Sequence, residues 1–107
     1  MRVYGYIRIS TGKQDTENQR FEILKYANEN KLGSVEFLEE TISGRKSWKD
    51  RKVGTLVQEL QKGDILIITE LSRLGRSMLE VMELLSILLR KGGELHVVKN
   101  KQVLKDD

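Results

Sequence analysis

The 107 residues fit one domain, and a chain of that length buries roughly two-thirds of its unfolded surface, enough for one modest core. There is no cysteine, which excludes disulfides and cysteine-based zinc sites, and no apolar run approaches the roughly 20 residues that span a bilayer, so the sequence reads as cytoplasmic. The net charge of +3 permits an anionic partner without demanding one, and charges of alternating sign argue against disorder.

Val3 to Ile9 is rich in β-branched and aromatic residues and predicts a first strand. Thr16 to Asn30 predicts a helix, with Phe21, Leu24 and Ala27 on one face, Thr16 and Gln19 as a capping box, and Gly33 as the stop. Val35 to Leu38 reads as a short second strand, and Glu39 to Lys52, which has no clear period, as a loop. Val53, Leu56, Val57 and Leu60 form a helical stripe that ends at Gly63. Ile65 to Thr69 is a continuous apolar run, the mark of a strand buried on both faces. Val81, Leu84, Leu85 and Leu88 line a third helix stopped by Gly92 and Gly93, and Leu95 to Val98 reads as a last strand.

Strands that alternate with helices predict an α/β fold with a mainly parallel central sheet. Sites in such sheets form beyond the carboxyl ends of the strands. That places attention on Arg8 to Gly12 and on Glu70 to Ser77.

In an extended strand Tyr6, Arg8 and Ser10 point to one face, and Ser10 is the last of them before the turn at Gly12. A guanidinium binds phosphate as a planar fork, and a serine hydroxyl needs such help to act as a nucleophile. Taken by itself, the pair also reads as a turn serine beside a surface arginine.

In the second segment Arg73 and Arg76 are three residues apart. If a helix begins near Ser72 they share its first turn, where the dipole disfavours cations unless an anion sits among them. The Ser77–Glu80 capping signal instead starts the helix later and leaves both arginines on a loop; both placements stay open.

Arg45, Lys46, Lys49, Arg51 and Lys52 make a basic cluster around a single acid, Asp50. It is suited to a phosphate backbone, and its bland alternative is a solvated loop. Trp48 within it reads either as a DNA or subunit contact or as a ring folded over the core edge. The one histidine, His96, lies inside a predicted strand and reads as structural. The acids show no metal-site spacing, and no Walker-type phosphate loop is present, so neither metal nor cofactor is expected.

Together these segments resemble the serine recombinase family of resolvases and DNA invertases. The resemblance is carried by Tyr4-Gly5-Tyr6-Ile7-Arg8-Ile9-Ser10-Thr11, Gln14, Gln19, Ser43-Gly44, Gly63-Asp64-Ile65-Leu66-Ile67-Ile68 and Leu71-Ser72-Arg73-Leu74-Gly75-Arg76-Ser77. Ser72, with Trp48-Lys49-Asp50-Arg51-Lys52, looks most like the branch of bacterial invertases that includes the Mpi-type master invertases.

The resemblance implies a three-layer resolvase-like catalytic domain. It implies site-specific recombination in which Ser10 attacks a DNA phosphodiester and forms a 5′-phosphoserine. It also implies that Arg8, Arg73 and Arg76 bind the phosphate, that Gln19, Ser43, Tyr6, Gln14 and Ser72 support the site, and that subunits associate as dimers and tetramers on DNA. The family usually has aspartate at the place of Ser72, and its members continue into a dimerisation helix and a DNA-binding domain. Residues 1–107 are therefore expected to be a catalytic core, incompetent alone for full recombination. The competing expectations are a non-catalytic DNA- or protein-binding module that keeps the fold, and a small phosphate-ester hydrolase.

Overall fold

The computed structural model describes residues 1–9, 13–41 and 51–106. Its elements, in order, are β1 (Val3–Ile9), α1 (Lys13–Glu29), β2 (Glu36–Thr41), α2 (Lys52–Glu59), β3 (Ile65–Ile68), α3 (Met78–Arg90), β4 (Glu94–Val97) and β5 (Gln102–Leu104), with a single 3-10 turn over Leu71–Arg73. The sheet runs β2-β1-β3-β4-β5. All its pairings are parallel except β4 with β5.

Helices cover both faces of this sheet. Val3, Ile7, Ile65 and Ile67 point toward α1, where they meet Ile23, Tyr26 and Ala27. Tyr6, Leu66 and Ile68 point the other way, against Val53, Leu56 and Val57 of α2 and Val81, Leu84 and Leu88 of α3. All four residues of β3 are buried, so its unbroken apolar run reflects a strand with a helix over each face. The result is three layers, with the strand order reversing between β1 and β3.

The structure corrects the sequence reading in several places. α1 begins at Lys13, three residues before the expected cap, so Thr16 lies inside the helix and the expected Thr16–Gln19 box does not form. The inward face is Gln19, Ile23, Tyr26 and Ala27, whereas Phe21 is 66% and Leu24 46% exposed. The spacing of 19, 23, 26 and 27 satisfies a helical stripe as well as the one read from Phe21. The position of α1 over β1 and β3 decides between them.

The helix closes with Leu32 N–H on the Ala27 carbonyl and Lys31 N–H on that of Asn28, a Schellman arrangement. Lys31, with φ 54°, takes the closing left-handed position, and Gly33, the expected stop, is left-handed as well at φ 88°.

β2 starts one residue later than expected and continues to Thr41, because Glu39, Glu40 and Thr41 pair in register with Ile7, Arg8 and Ile9. Pairing, not apolar pattern, extends it. β4 is shifted one residue earlier than read, and β5, a short antiparallel edge, was not anticipated. The exposure of Gln102 and Val103 leaves that edge without an inward-facing pattern.

A candidate phosphate-binding site

The carboxyl ends of β1 and β3 lie beside each other because β1 pairs with β3 in parallel. Arg8, near the end of β1, therefore reaches the segment after β3 and donates from Nη1 to the Gly75 carbonyl at 3.0 Å. That segment opens with the 3-10 turn, closed by Arg73 N–H on the Glu70 carbonyl and Leu74 N–H on that of Leu71. Leu74 is fully buried and anchors the turn in the core.

α3 then starts at Met78, with Ser77 as its cap accepting from Glu80 N–H at 3.1 Å. Of the two placements left open by the sequence, this is the later helix start. Arg73 ends the 3-10 turn and Arg76 stands on the connection before the cap.

Gly75 is a tight position for any side chain. A Cβ there would stand 3.0 Å from the Val81 nitrogen and 3.2 Å from Glu80 Cβ. The turn thus lies tightly against the start of α3.

Arg8 is held among other cations. Partial burial lowers its pKa, and the charges of Arg73, Arg51 and Arg76 lower it further, although Tyr6 acts in the opposite sense. Like charges gathered in a half-buried place raise one another's energy, and a bound anion relieves that cost. The adjoining cavity of about 370 Å³ is lined by Arg8, Ser72, Gly75, Arg76, Met78 and Met82, among others.

Several carboxylates order this cation cluster. Arg73 Nη2 meets Asp15 Oδ1 of α1 at 3.2 Å. Gln19, buried on α1, donates to the Arg8 carbonyl and to Asp15 Oδ2, both at 3.0 Å. Gln19 therefore joins the strand carrying Arg8 to the partner of Arg73. Ser72, exposed, donates from Oγ to Glu70 Oε1 at 2.7 Å. That bond, with the charges of Lys99 and Arg73, holds the Glu70 carboxyl below its ordinary range despite some burial.

The Tyr6 hydroxyl is turned to Glu40 Oε1, at 2.8 Å, rather than presented to the cavity. Burial first, then the bond to Glu40 and its charge, pushes the phenol far above its ordinary range, so it stays protonated and donates. Glu40 also accepts from Lys52 N–H at 2.6 Å and Val53 N–H at 3.4 Å, satisfying the start of α2.

Gln14 is exposed in the first turn of α1. Lys52 is exposed, with Nζ donating to the Glu39 carbonyl at 3.2 Å. Arg51 departs from the solvated cluster in which the sequence placed it. It is 3% exposed and ion-paired with Glu80. A guanidinium so placed belongs to the fold's interior and does not form an outer DNA-facing surface. Ser10, Ser43, Arg45, Lys46, Lys49 and Trp48 lie outside the described residues.

His96 is buried between Tyr26 Oη, 2.6 Å from its Nδ1, and Glu94 Oε1, 3.0 Å from its Nε2. It joins the sheet to α1 as a satisfied interior group. Among the described residues no three His, Cys, Asp or Glu side chains group as metal ligands. No helix there is long and apolar enough to cross a membrane.

The sequence reading gave no site role to Asp15, Glu40 or Glu80, and quoted Gly75 only as part of a motif. Glu80 had a visible signal as the acidic member of the box with Ser77, and the structure gives its carboxylate a different partner, the Arg76 N–H, from the one that box implies.

Comparison with known proteins identifies the family of the chain. The family model described as the N-terminal domain of resolvase matches residues 3–107. The serine recombinase PinR of Escherichia coli is 36% identical over 96 residues, covering 89% of this chain and 48% of that protein. The transposon Tn2501 resolvase, also of Escherichia coli, is 40% identical over 81 residues, covering 75% of this chain and 41% of that protein. The chain thus spans about half the length of the curated relatives it matches. The solved N-terminal catalytic domain of TP901-1 integrase has the same fold, with a TM-score of 0.72 at 20% identity over 96% of this chain and 81% of that one. The three-layer α/β fold, the motif series and the family match lead to one conclusion: this chain belongs to the serine recombinases, as their resolvase N-terminal domain.

Proposed function

We propose that this domain catalyses site-specific DNA recombination by phosphoryl transfer through Ser10. In this reading Ser10 Oγ gives up its proton and attacks a backbone phosphorus. The bond to the 3′ oxygen breaks, and that oxygen takes up a proton to leave as a hydroxyl. A 5′-phosphoserine remains, which conserves the bond energy. After strand exchange a 3′ hydroxyl attacks the phosphoserine, restoring a diester and the serine. No nucleotide cofactor or metal enters this balance.

Arg8, Arg73 and Arg76 bind the phosphate and spread its charge in the transition state. Gln19 orders Arg8 and Asp15, and Tyr6 acts at one remove through Glu40. Gln14, Ser43 and Ser72 support the site, with Ser72 giving its hydrogen bond to Glu70. Arg45, Lys46, Lys49 and Lys52 meet the DNA backbone. The protein works in the cytoplasm at the nucleoid, with subunits associating into dimers and tetramers on DNA.

The observation that carries this reading is the gathering of cations around Arg8 at the adjacent ends of β1 and β3. The test is strand cleavage of supercoiled DNA that carries the native flanking sites, using the full-length protein. The expected products have extendable 3′ hydroxyls and 5′ ends blocked by protein, and Ser10→Ala yields neither. Unchanged behaviour of Ser10→Ala in every assay would identify a binding module instead.

A further inference from the structure

One peptide group stands between two charged side chains. The Gly75 carbonyl accepts from Arg8 at 3.0 Å, and the Arg76 N–H, at the other end of that peptide, donates to Glu80 Oε1 at 2.9 Å. The same Glu80 oxygen accepts from Arg51 Nη2. Among the described residues the Nε and Nη1 of Arg51 are buried without a hydrogen-bond partner, and the pairing of Nη2 with Glu80 offsets a buried charge.

Glu80 is the third residue of α3, where the helix dipole favours a carboxylate. A glutamate there ordinarily reaches back to the N–H of the capping residue. Here it reaches one residue further, to Arg76. Ser77 supplies the other half of the cap on its own.

We propose that Glu80 is a positioning residue for the arginine site. Its carboxylate fixes the Gly75–Arg76 peptide against Arg8, and so sets where the two guanidiniums stand. Arg51 neutralises Glu80, which lets a carboxylate work this close to an anion site without repelling the anion. This inference rests on the phosphate-binding reading given above.

The test uses the 107-residue chain with inorganic phosphate as the probe, followed by nitrogen–proton NMR of backbone amides and arginine side chains. Glu80→Gln keeps the shape and removes the charge. The expected result is a shift of the Arg76 amide toward its unbonded position and a rise of roughly tenfold in half-saturating phosphate, as misplaced groups give. Ser77→Ala removes the helix cap while leaving the peptide clamp intact. It should lower the melting temperature and leave phosphate binding within about twofold, below the scale of a lost positioning contact.

Wild-type phosphate affinity in Glu80→Gln would overturn the proposal, and so would an equal loss in Ser77→Ala. If Glu80→Gln does not fold, Glu80→Asp replaces it. The shorter side chain cannot hold Arg51 and Arg76 together, so an intermediate loss is expected and unchanged binding overturns the proposal. Failure of the underlying reading shows in the unaltered chain, as arginine signals indifferent to phosphate. Failure of the Glu80 proposal shows only in the variants.

Discussion

The Arg8 guanidinium and the Gly75 carbonyl meet at 3.0 Å, joining the end of β1 to the turn that follows β3. The contact spends one arm of Arg8 on the protein itself. Arg8 also lines the cavity beside Arg76. A lysine ammonium carries the same charge but lacks the planar fork that can serve backbone and phosphate together. Arg8→Lys is expected to slow DNA cleavage by roughly 10²–10³-fold, the range for loss of one preorganised donor, with DNA binding nearly unchanged. Single-turnover cleavage and a binding titration at matched salt check this.

Gly75→Ala tests the close approach of the turn to α3. The added Cβ would crowd backbone at Val81 and the Glu80 side chain, at 3.0 and 3.2 Å. Backbone at a helix start gives little, so a loss of about 1–3 kcal/mol is expected, as for other overpacked sites. Urea unfolding measures it. Cleavage should fall further than stability explains, since the displaced carbonyl is the one that Arg8 holds.

Tyr6→Phe separates support of the fold from contact with the phosphate. The hydroxyl serves Glu40, which keeps its two backbone donors in the variant. The expected cost is about 1.5 kcal/mol, the low end for a hydrogen bond to a charged group. Cleavage measured well below the melting temperature should change little. A large loss of cleavage without a loss of stability would place the hydroxyl in the reaction itself.

Much of this architecture is legible in the sequence, for a physical reason. The run at Ile65 and the stripe of Val53, Leu56, Val57 and Leu60 are patterns that burial imposes directly, and both are buried as read. β5 and the Glu39–Thr41 end of β2 owe their structure to a neighbouring strand, which no local pattern records. Phe21 and Leu24 satisfy the helical period as well as Ile23 does, and only the seating of α1 on the sheet chooses between them. The arginines could be picked out as a group from their positions after two strands. Their anchors could not. Arg51 looks solvated within a basic run, and its burial depends on Glu80, 29 residues away.

Stability should fall on the acid side through Asp64. Burial opposes its ionisation, but N–H groups from Arg2 and Gln61, both at 2.9 Å, outweigh burial and lower its pKa. A carboxyl depressed on folding stabilises the native state above its unfolded pKa of about 4, and that contribution fades as pH falls through the lower folded value. The urea midpoint of the wild type should therefore fall below about pH 4, by more than that of Asp64→Asn. At neutral pH the variant should be the less stable of the two.

The most direct test of the central claim is the location of the covalent bond. Full-length protein is trapped on supercoiled DNA, digested with protease and nuclease, and mapped by mass spectrometry. The account predicts a nucleotide phosphate on the peptide that contains Ser10, absent in Ser10→Ala. DNA bound without an adduct, or an adduct that persists in Ser10→Ala, would contradict it.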